Sequence, residues 1–129
     1  MERKHISSGT GWESTVGYSR AVQVDSQVHV SGTTATDDAG EIVGNDDPYE
    51  QTKQALQNIE AALEETDATL ADVVRTRLFV TDIDAWDAIG QAHGEVFGDI
   101  RPATSMVEVN RLIDSELLVE VEAVAVIST

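Results

Sequence analysis

The sequence predicts an α/β sandwich in which two helices cover one face of a mixed β-sheet. Extended and helical segments alternate along the chain, an order that is typical of this fold class. Each of the two helical segments carries one apolar stripe, and the last extended segment has apolar residues on both faces. With 129 residues the chain is long enough for one hydrophobic core, so a single domain is expected over residues 1–129.

The first strands are predicted from alternating apolar residues at 21–24 and 28–30. The polar residues 25–27 between them predict a hairpin turn. Residues 31–36 lead into Asp37-Asp38-Ala39-Gly40, which is rich in turn-forming residues and predicts a surface loop. A third short strand is expected at residues 41–43.

The first helix is predicted to begin at Asp47-Pro48. Aspartate accepts hydrogen bonds from the free amides of a first turn, proline suits the first helical position, and Glu50 stands where it can close a capping box. The helix is expected to end near residues 66–67. Its predicted core-facing residues are Thr52, Ala55, Leu56, Ile59, Ala62 and Leu63.

Residues 72–80 predict a strand because they are rich in β-branched side chains. Alternation assigns its residues to two faces: Arg75, Arg77 and Phe79 to one, and Val74, Thr76, Leu78 and Val80 to the other.

The second helix is expected to follow Asp82 as its cap and to end at Gly98, ahead of Pro102. Its predicted apolar side consists of Trp86, Ile89, His93, Val96 and Phe97.

Two further strands are predicted at residues 106–109 and 117–127, with a turn near residues 113–115. In the last strand Glu120 and Glu122 share one face with apolar neighbours, while the opposite face is apolar throughout. One layer of helices covers only one face, so oligomerisation through the sheet is predicted.

Composition and charge exclude several function classes. The chain has no cysteine, which excludes disulfides, thiol nucleophiles and thiolate metal sites. The net charge of −16 disfavours binding to RNA or DNA, and this Asp-rich, Lys-poor composition suits a halophilic cytosol. No apolar run approaches the roughly 20 residues of a membrane span, and residues 1–9 lack the apolar stretch of a signal peptide, so a cytoplasmic protein is expected without membrane contact.

Glu120 and Glu122 are the first candidates for chemistry. Desolvation or mutual repulsion raises a carboxyl pKa and makes it a proton donor or acceptor near neutral pH. The alternative is an ion pair across the sheet with Arg75 or Arg77.

The three histidines give weaker signals. His93 on an apolar helix face is more typical of a core residue, and His5 and His29 lack metal-binding spacing, so no metal site is predicted. No phosphate loop, nucleophile elbow or dinucleotide motif occurs, so no cofactor is expected.

Two turns carry hydroxyl groups that a small ligand can bind. In the segment RPATSMVEV, residues 101–109, the chain turns from helix to strand at Thr104 and Ser105. The segment Ser31-Gly32-Thr33-Thr34 offers backbone amides and hydroxyls to a small anion, and the alternative is an ordinary turn without a ligand.

Many short segments together resemble the Rid (reactive intermediate deaminase), or YjgF, family, and their order and spacing make the resemblance specific. They are Gly17-Tyr18-Ser19-Arg20-Ala21-Val22, Val30-Ser31-Gly32, Gln51-Thr52 with Leu56 and Asn58-Ile59, Asp72-Val73-Val74-Arg75-Thr76, Phe97, Pro102-Ala103, Val107-Glu108-Val109, Arg111-Leu112 and Val119-Glu120-Val121-Glu122-Ala123.

The resemblance implies a chorismate-mutase-like fold and a homotrimer with a small-molecule cleft between neighbouring subunits. Family deaminases read Pro-Ala-Arg-Ser at the corner, where the arginine grips the carboxylate of an imino acid, and this chain has Thr104 there. Tyr18 matches the cleft tyrosine and Glu120 the carboxylate that positions water, whereas the usual asparagine of the second helix is replaced by Gly90. The sequence leaves open whether Arg20 or Arg101 substitutes for the missing arginine.

These matches imply a hydrolase that deaminates a reactive imine or enamine. Glu120 is expected to act as acid and base, Thr104 as a hydrogen-bond donor, and Tyr18, Ser31, Gly32 and Ser105 as ligand-binding residues. The alternative is a ligand-binding or regulatory trimer without turnover. Endoribonuclease activity is associated with parts of the family, but the net charge of −16 argues against it.

Overall fold

The computed structural model describes residues 2–128. Six strands form one mixed sheet in the order β1-β2-β3-β6-β4-β5. The elements are β1 (Arg3–Ile6), α1 (Gly11–Val16), β2 (Ala21–Val24), β3 (Gln27–Thr33), α2 (Pro48–Glu64), β4 (Val73–Val80), α3 (Trp86–Phe97), β5 (Ala103–Glu108) and β6 (Val119–Val126). Short 3₁₀ helices at Leu70–Asp72 and Ile83–Ala85 precede β4 and α3. The pair β4 and β5 is parallel, and the other pairs are antiparallel.

The two long helices pack on one face of this sheet, as predicted. Helix α2 begins where its sequence signals lie, because Asp47 accepts a hydrogen bond from the Glu50 amide at 3.1 Å and Pro48 takes the first position. All six residues predicted for its core-facing stripe are buried. Against them pack Val119, Val121, Ala123 and Ala125 of β6, which are also buried.

The strand predicted at residues 72–80 is confirmed, but Val74 was assigned to the wrong face. Residue Val73 pairs with Ala125 and Arg75 with Val124, so β4 has one residue more than β6 at this point. This β-bulge shifts the alternation, and the Val74 side chain is 46% exposed.

Other predictions need correction. Residues 41–43 do not form a strand, since only an isolated bridge joins Thr36 to Ile42. The surface loop predicted at residues 37–40 is confirmed, since all four residues are exposed. Trp86, predicted on the apolar side of the second helix, is the first residue of α3 and is 62% exposed.

Elements β1 and α1 were not predicted. Strand β1 has a single buried residue, Ile6, and therefore shows no apolar alternation. Helix α1 has only six residues, too few for a helical period. No helix among residues 2–128 is long and apolar enough to cross a membrane.

Candidate functional site on the open sheet face

The sheet face away from the helices carries most of the candidate residues. Alternation along β6 directs Glu120 and Glu122 to this face, together with Val124 and Val126. A depression of about 580 Å³ lies on it. Its polar lining comes from His5, Tyr18, Ser19, His29, Ser31, Arg75, Arg77 and Glu122.

Glu120 lies beside this depression and packs against the backbone of Gly32. Between Val30 and Thr33, β3 has one residue more than its partner β6, and this bulge contains Gly32. A Cβ atom on Gly32 would overlap Glu120 Oε2 and lie 2.8 Å from Glu120 Cδ. The absence of a side chain at Gly32 therefore provides the space that the Glu120 carboxyl group occupies.

The pKa of Glu120 is raised above the ordinary glutamate value. Burial is the largest cause, the nearby Glu122 carboxylate adds to it, and the positive charge of Arg20 opposes it in part. On the neighbouring strand Phe79 pairs with Glu120 and contributes an apolar neighbour. Among residues 2–128, Glu120 has neither a hydrogen bond nor an ion pair, so its carboxyl group is free to meet a ligand.

Glu122 has the alternative role, that of an ion-pair partner. Its Oε1 lies 3.6 Å from Arg77 Nη1, across the β4–β6 pair. Both side chains are substantially exposed, so the pair contributes little to stability.

Tyr18 is held at the rim of the depression by the short helix α1. The amides of Gly17 and Tyr18 both donate to Glu13 O, at 2.9 and 3.0 Å, and Gly17 has a φ of 91°, in the left-handed region that favours glycine. The buried Glu13 carboxylate in turn accepts hydrogen bonds from the amide and hydroxyl of Ser8. Although burial opposes it, these hydrogen bonds hold the pKa of Glu13 below its usual value.

Arg20 connects Tyr18, Gly32 and Glu120. Its guanidinium carbon lies 5.9 Å from the centre of the Tyr18 ring, and its Nη2 donates to Gly32 O at 2.5 Å. The hydroxyl of Ser31 donates to Ser19 O at 2.6 Å, which fixes the same turn. Four residues named from sequence, Tyr18, Ser31, Gly32 and Glu120, therefore lie in one neighbourhood.

Thr104 and Ser105 lie on the edge strand β5, away from that neighbourhood. Thr104 pairs with Thr76 and Ser105 with Arg77 in the parallel β4–β5 register. Ser105 faces the open side, where its Oγ accepts from Arg75 Nη2 at 3.0 Å.

Thr104 faces the helices instead, so within one subunit its hydroxyl and the Glu120 carboxyl lie on opposite sides of the sheet. The Thr104 Oγ1 lies 2.7 Å from Oγ1 of the buried Thr76, which lies 2.9 Å from Nε2 of His93 on α3. Burial lowers the pKa of His93, which favours the neutral ring.

The similarity of this chain to known proteins is extensive. Residues 10–127 match the model of the family described as Endoribonuclease L-PSP. A Streptomyces coelicolor protein, described as uncharacterized, is 40% identical over 123 residues, which are 95% of this chain and 90% of that protein. A RutC family protein of Pyrococcus abyssi is 39% identical over 84% of each chain. The crystal structure of Rv2704 from Mycobacterium tuberculosis, a member of the YjgF/YER057c/UK114 family, superimposes with a TM-score of 0.89 at 52% identity, covering 98% of this chain and all of that one.

The chain belongs to the Endoribonuclease L-PSP family, which is also the YjgF family and is called by that name below.

The resemblance found in the sequence is thereby confirmed, and the fold is the chorismate-mutase-like α/β fold of the YjgF family. Two features of this YjgF-family protein were not predicted from its sequence. One is the position of Arg20 beside both Tyr18 and Glu120, and the other is the series of hydrogen bonds from His93 through Thr76 to Thr104. The sequence does contain a signal for these hydrogen bonds, because Thr76 places a hydroxyl group at a core-facing position of β4. Among residues 2–128, no group of three or more His, Asp or Glu side chains is arranged to hold a metal ion.

Proposed function

We propose that this YjgF-family protein hydrolyses a small reactive imine or enamine in a cleft between subunits of a homotrimer. The observation that carries the proposal is Glu120, a carboxyl group without a protein partner among residues 2–128 and with a raised pKa. Burial, together with the nearby Glu122 carboxylate, keeps this carboxyl group protonated to higher pH than an ordinary glutamate, which suits it to proton transfer.

The proposed reaction adds one water molecule to the C=N bond. The Glu120 carboxylate takes a proton from water as the oxygen attacks the imine carbon, and it passes this proton to the nitrogen to give a carbinolamine. Glu120 then takes the proton of the carbinolamine hydroxyl as the carbonyl group forms, and it delivers this proton to the nitrogen, which leaves as ammonia when the C–N bond breaks. Arg20, whose charge favours the ionised form of Glu120, keeps part of the carboxyl population able to act as base.

A cleft between subunits accounts for the separation of Glu120 from Thr104. The two groups lie on opposite sides of one sheet, so a site that includes both takes one of them from a neighbouring subunit. The open face supports such an assembly, since it exposes Val107 by 47% and Val126 by 41%. An apolar sheet face of this kind is stabilised when it packs against a second copy.

The test is ammonia release from 2-iminobutyrate and 2-iminopropionate, generated in place by an amino-acid oxidase at high salt. The wild type is expected to accelerate release, and Glu120→Gln to lower kcat/KM by about 100-fold or more, the range of general acid-base catalysis. The matched control is Glu122→Gln, which removes the neighbouring carboxylate but leaves Glu120, and should stay within about tenfold of wild type. A Glu120→Gln variant as active as the wild type on both imines would refute the mechanism.

The second candidate is a trimer that binds or regulates without turnover, and Thr104 favours it. A threonine offers one neutral hydroxyl where the family resemblance has an arginine, which lowers carboxylate affinity by roughly 1.5 to 3 kcal/mol. Acceleration by Thr104→Arg alone would show that the cleft is intact but that its ligand is neither imino acid. A metabolite that raises the melting temperature without forming product would support binding without turnover.

A further inference from the structure

Thr104 ends a chain of hydrogen bonds that starts inside the protein. His93 Nε2 lies 2.9 Å from Thr76 Oγ1, which lies 2.7 Å from Thr104 Oγ1. Thr104 Oγ1 is also 3.1 Å from Pro102 O, with geometry suitable for donation. Thr76 is fully buried whereas Thr104 is exposed, so only the last hydroxyl of the chain reaches a ligand.

Each hydroxyl has one proton to donate, so the hydrogen bonds that join His93, Thr76 and Thr104 can be arranged in two donor-to-acceptor directions. If His93 Nε2 accepts, Thr76 donates to it and Thr104 donates to Thr76. If His93 Nε2 donates, Thr76 donates to Thr104 and Thr104 donates to Pro102 O. In the first direction Thr76 takes the Thr104 proton, and in the second Pro102 O, 3.1 Å away, is placed to take it. In both directions at least one Thr104 lone pair stays free.

We infer that Thr104 acts on its ligand as a hydrogen-bond acceptor and that His93 and Thr76 are its positioning residues. The resemblance of the sequence to the family implies a donor at this position instead. The group bound at Thr104 is then a donor itself, such as a carboxamide, an amine or the N–H of an imine, and not a carboxylate. This inference rests on the proposed function only in assigning Thr104 to the ligand cleft.

The test compares two stable probes, 2-oxobutanamide and 2-oxobutyrate, which differ in one group. The first presents N–H donors and the second only acceptors, and neither carries an imine to be hydrolysed. Dissociation constants are measured by titrating each probe into ¹⁵N-labelled full-length protein and following amide chemical shifts. The wild type is expected to bind the amide more tightly than the carboxylate, and the Thr104 contribution to this preference is about two- to tenfold, the range of one neutral hydrogen bond.

Matched variants separate this contribution from the general repulsion of anions by an acidic protein. Thr104→Val keeps the shape but loses the acceptor, so its preference for the amide should fall by that factor, whereas Thr104→Ser should retain it. Thr76→Val should weaken the preference and Thr76→Ser should restore it, a pattern that loss of stability alone does not produce. His93→Phe should weaken it as well.

The inference fails if 2-oxobutyrate binds the wild type as tightly as the amide, if the preference is the same in Thr104→Val, or if the amide does not bind at all. These outcomes are independent of catalysis. Absence of imine hydrolysis together with the expected preference would refute the proposed function alone, and hydrolysis without the preference would refute this inference alone.

Discussion

Glu120 and Glu122 stand two residues apart on one face of β6, yet their surroundings give them different chemistry. Glu122 lies 3.6 Å from an arginine, in an exposed position. Glu120 lies between the Gly32 backbone and Phe79, where burial raises its pKa. The sequence identified the pair, but the β-bulge that brings Gly32 close to one of them has no sequence signal apart from the glycine itself.

The raised pKa of Glu120 predicts a pH-dependent stability. The folded state holds the Glu120 proton more tightly than the unfolded chain, so this contribution is fully present below pH 4.5 and is lost as pH rises through the raised pKa. In urea unfolding between pH 4 and 8, Glu120→Gln should gain stability over the wild type as pH rises. Glu122→Gln should show a weaker pH dependence than the wild type, because the like charge that raises the pKa of Glu120 is gone. A difference between wild type and Glu120→Gln that does not change with pH would contradict the assignment.

Gly32→Ala predicts a coupling between two residues. Gly32 is not among the glycines with positive φ, so its backbone accepts alanine, and the cost comes from overlap with the Glu120 carboxyl group. Because the overlapped atoms belong to the far end of a flexible side chain, the substitution is expected to displace the Glu120 carboxyl group and to lower the free energy of unfolding of the wild type by at most about 1 kcal/mol. In a Glu120→Ala background the cost should nearly vanish, as a double-mutant cycle measures directly. If Gly32→Ala lowered the free energy of unfolding equally in the wild type and in the Glu120→Ala background, its effect would not come from overlap with the Glu120 carboxyl group.

Among the elements, those with a clear period were predictable and the others were not. Helix α2 and strand β6 show uninterrupted apolar periodicity, and every residue of α2 that was predicted to face the core is buried. Strand β1 has one buried residue, so its pairing with β2 is decided by backbone hydrogen bonds that no pattern reveals. Val74 was misplaced because a bulge changes the face of a residue without changing its type.

Gln51 at the start of α2 was not predicted to be buried, and its contacts explain why it is. Its side-chain nitrogen donates to Glu116 O at 2.8 Å and to Gly44 O at 3.3 Å, and its oxygen accepts from the Leu118 amide at 2.8 Å. The amide group therefore ties α2 to the loop that leads into β6.

Gln51→Leu is expected to lower the free energy of unfolding by about 2 to 3 kcal/mol, since it leaves backbone groups without partners. Gln57→Leu, at an exposed position of the same helix, should change it by less than about 0.5 kcal/mol. Urea denaturation of both variants tests the contrast, and an equally small effect at both positions would show that the three hydrogen bonds are replaceable by water.

For the whole molecule, the charge of −16 is the dominant property. Carboxylates repel one another across the surface, and salt screens them with a Debye length of about 3 Å at 1 M. The same charge disfavours RNA as a substrate, although the family description names an endoribonuclease. Halophilic adaptation remains a prediction from composition.

The melting temperature is expected to rise as KCl increases from 0.1 to 2 M, with most of the gain below about 1 M because screening is then nearly complete. Glu60→Gln combined with Glu64→Gln, both at exposed positions on α2, should reduce the salt dependence. Calorimetry of the wild type and the double variant over the same KCl series measures this dependence. A wild-type melting temperature that does not change with KCl concentration would contradict adaptation to a saline cytosol.

The central position of β6 has a consequence for synthesis on the ribosome. Strand β6 is the last of the six strands along the chain, yet it lies between β3 and β4, and it pairs Gln27 with Val126. Until β6 has left the exit tunnel, β3 and β4 each present an unpaired edge, and the helices have no finished sheet to cover. A nascent chain of this protein therefore completes its fold only after translation has passed β6, and the waiting edges are where chaperones would be needed.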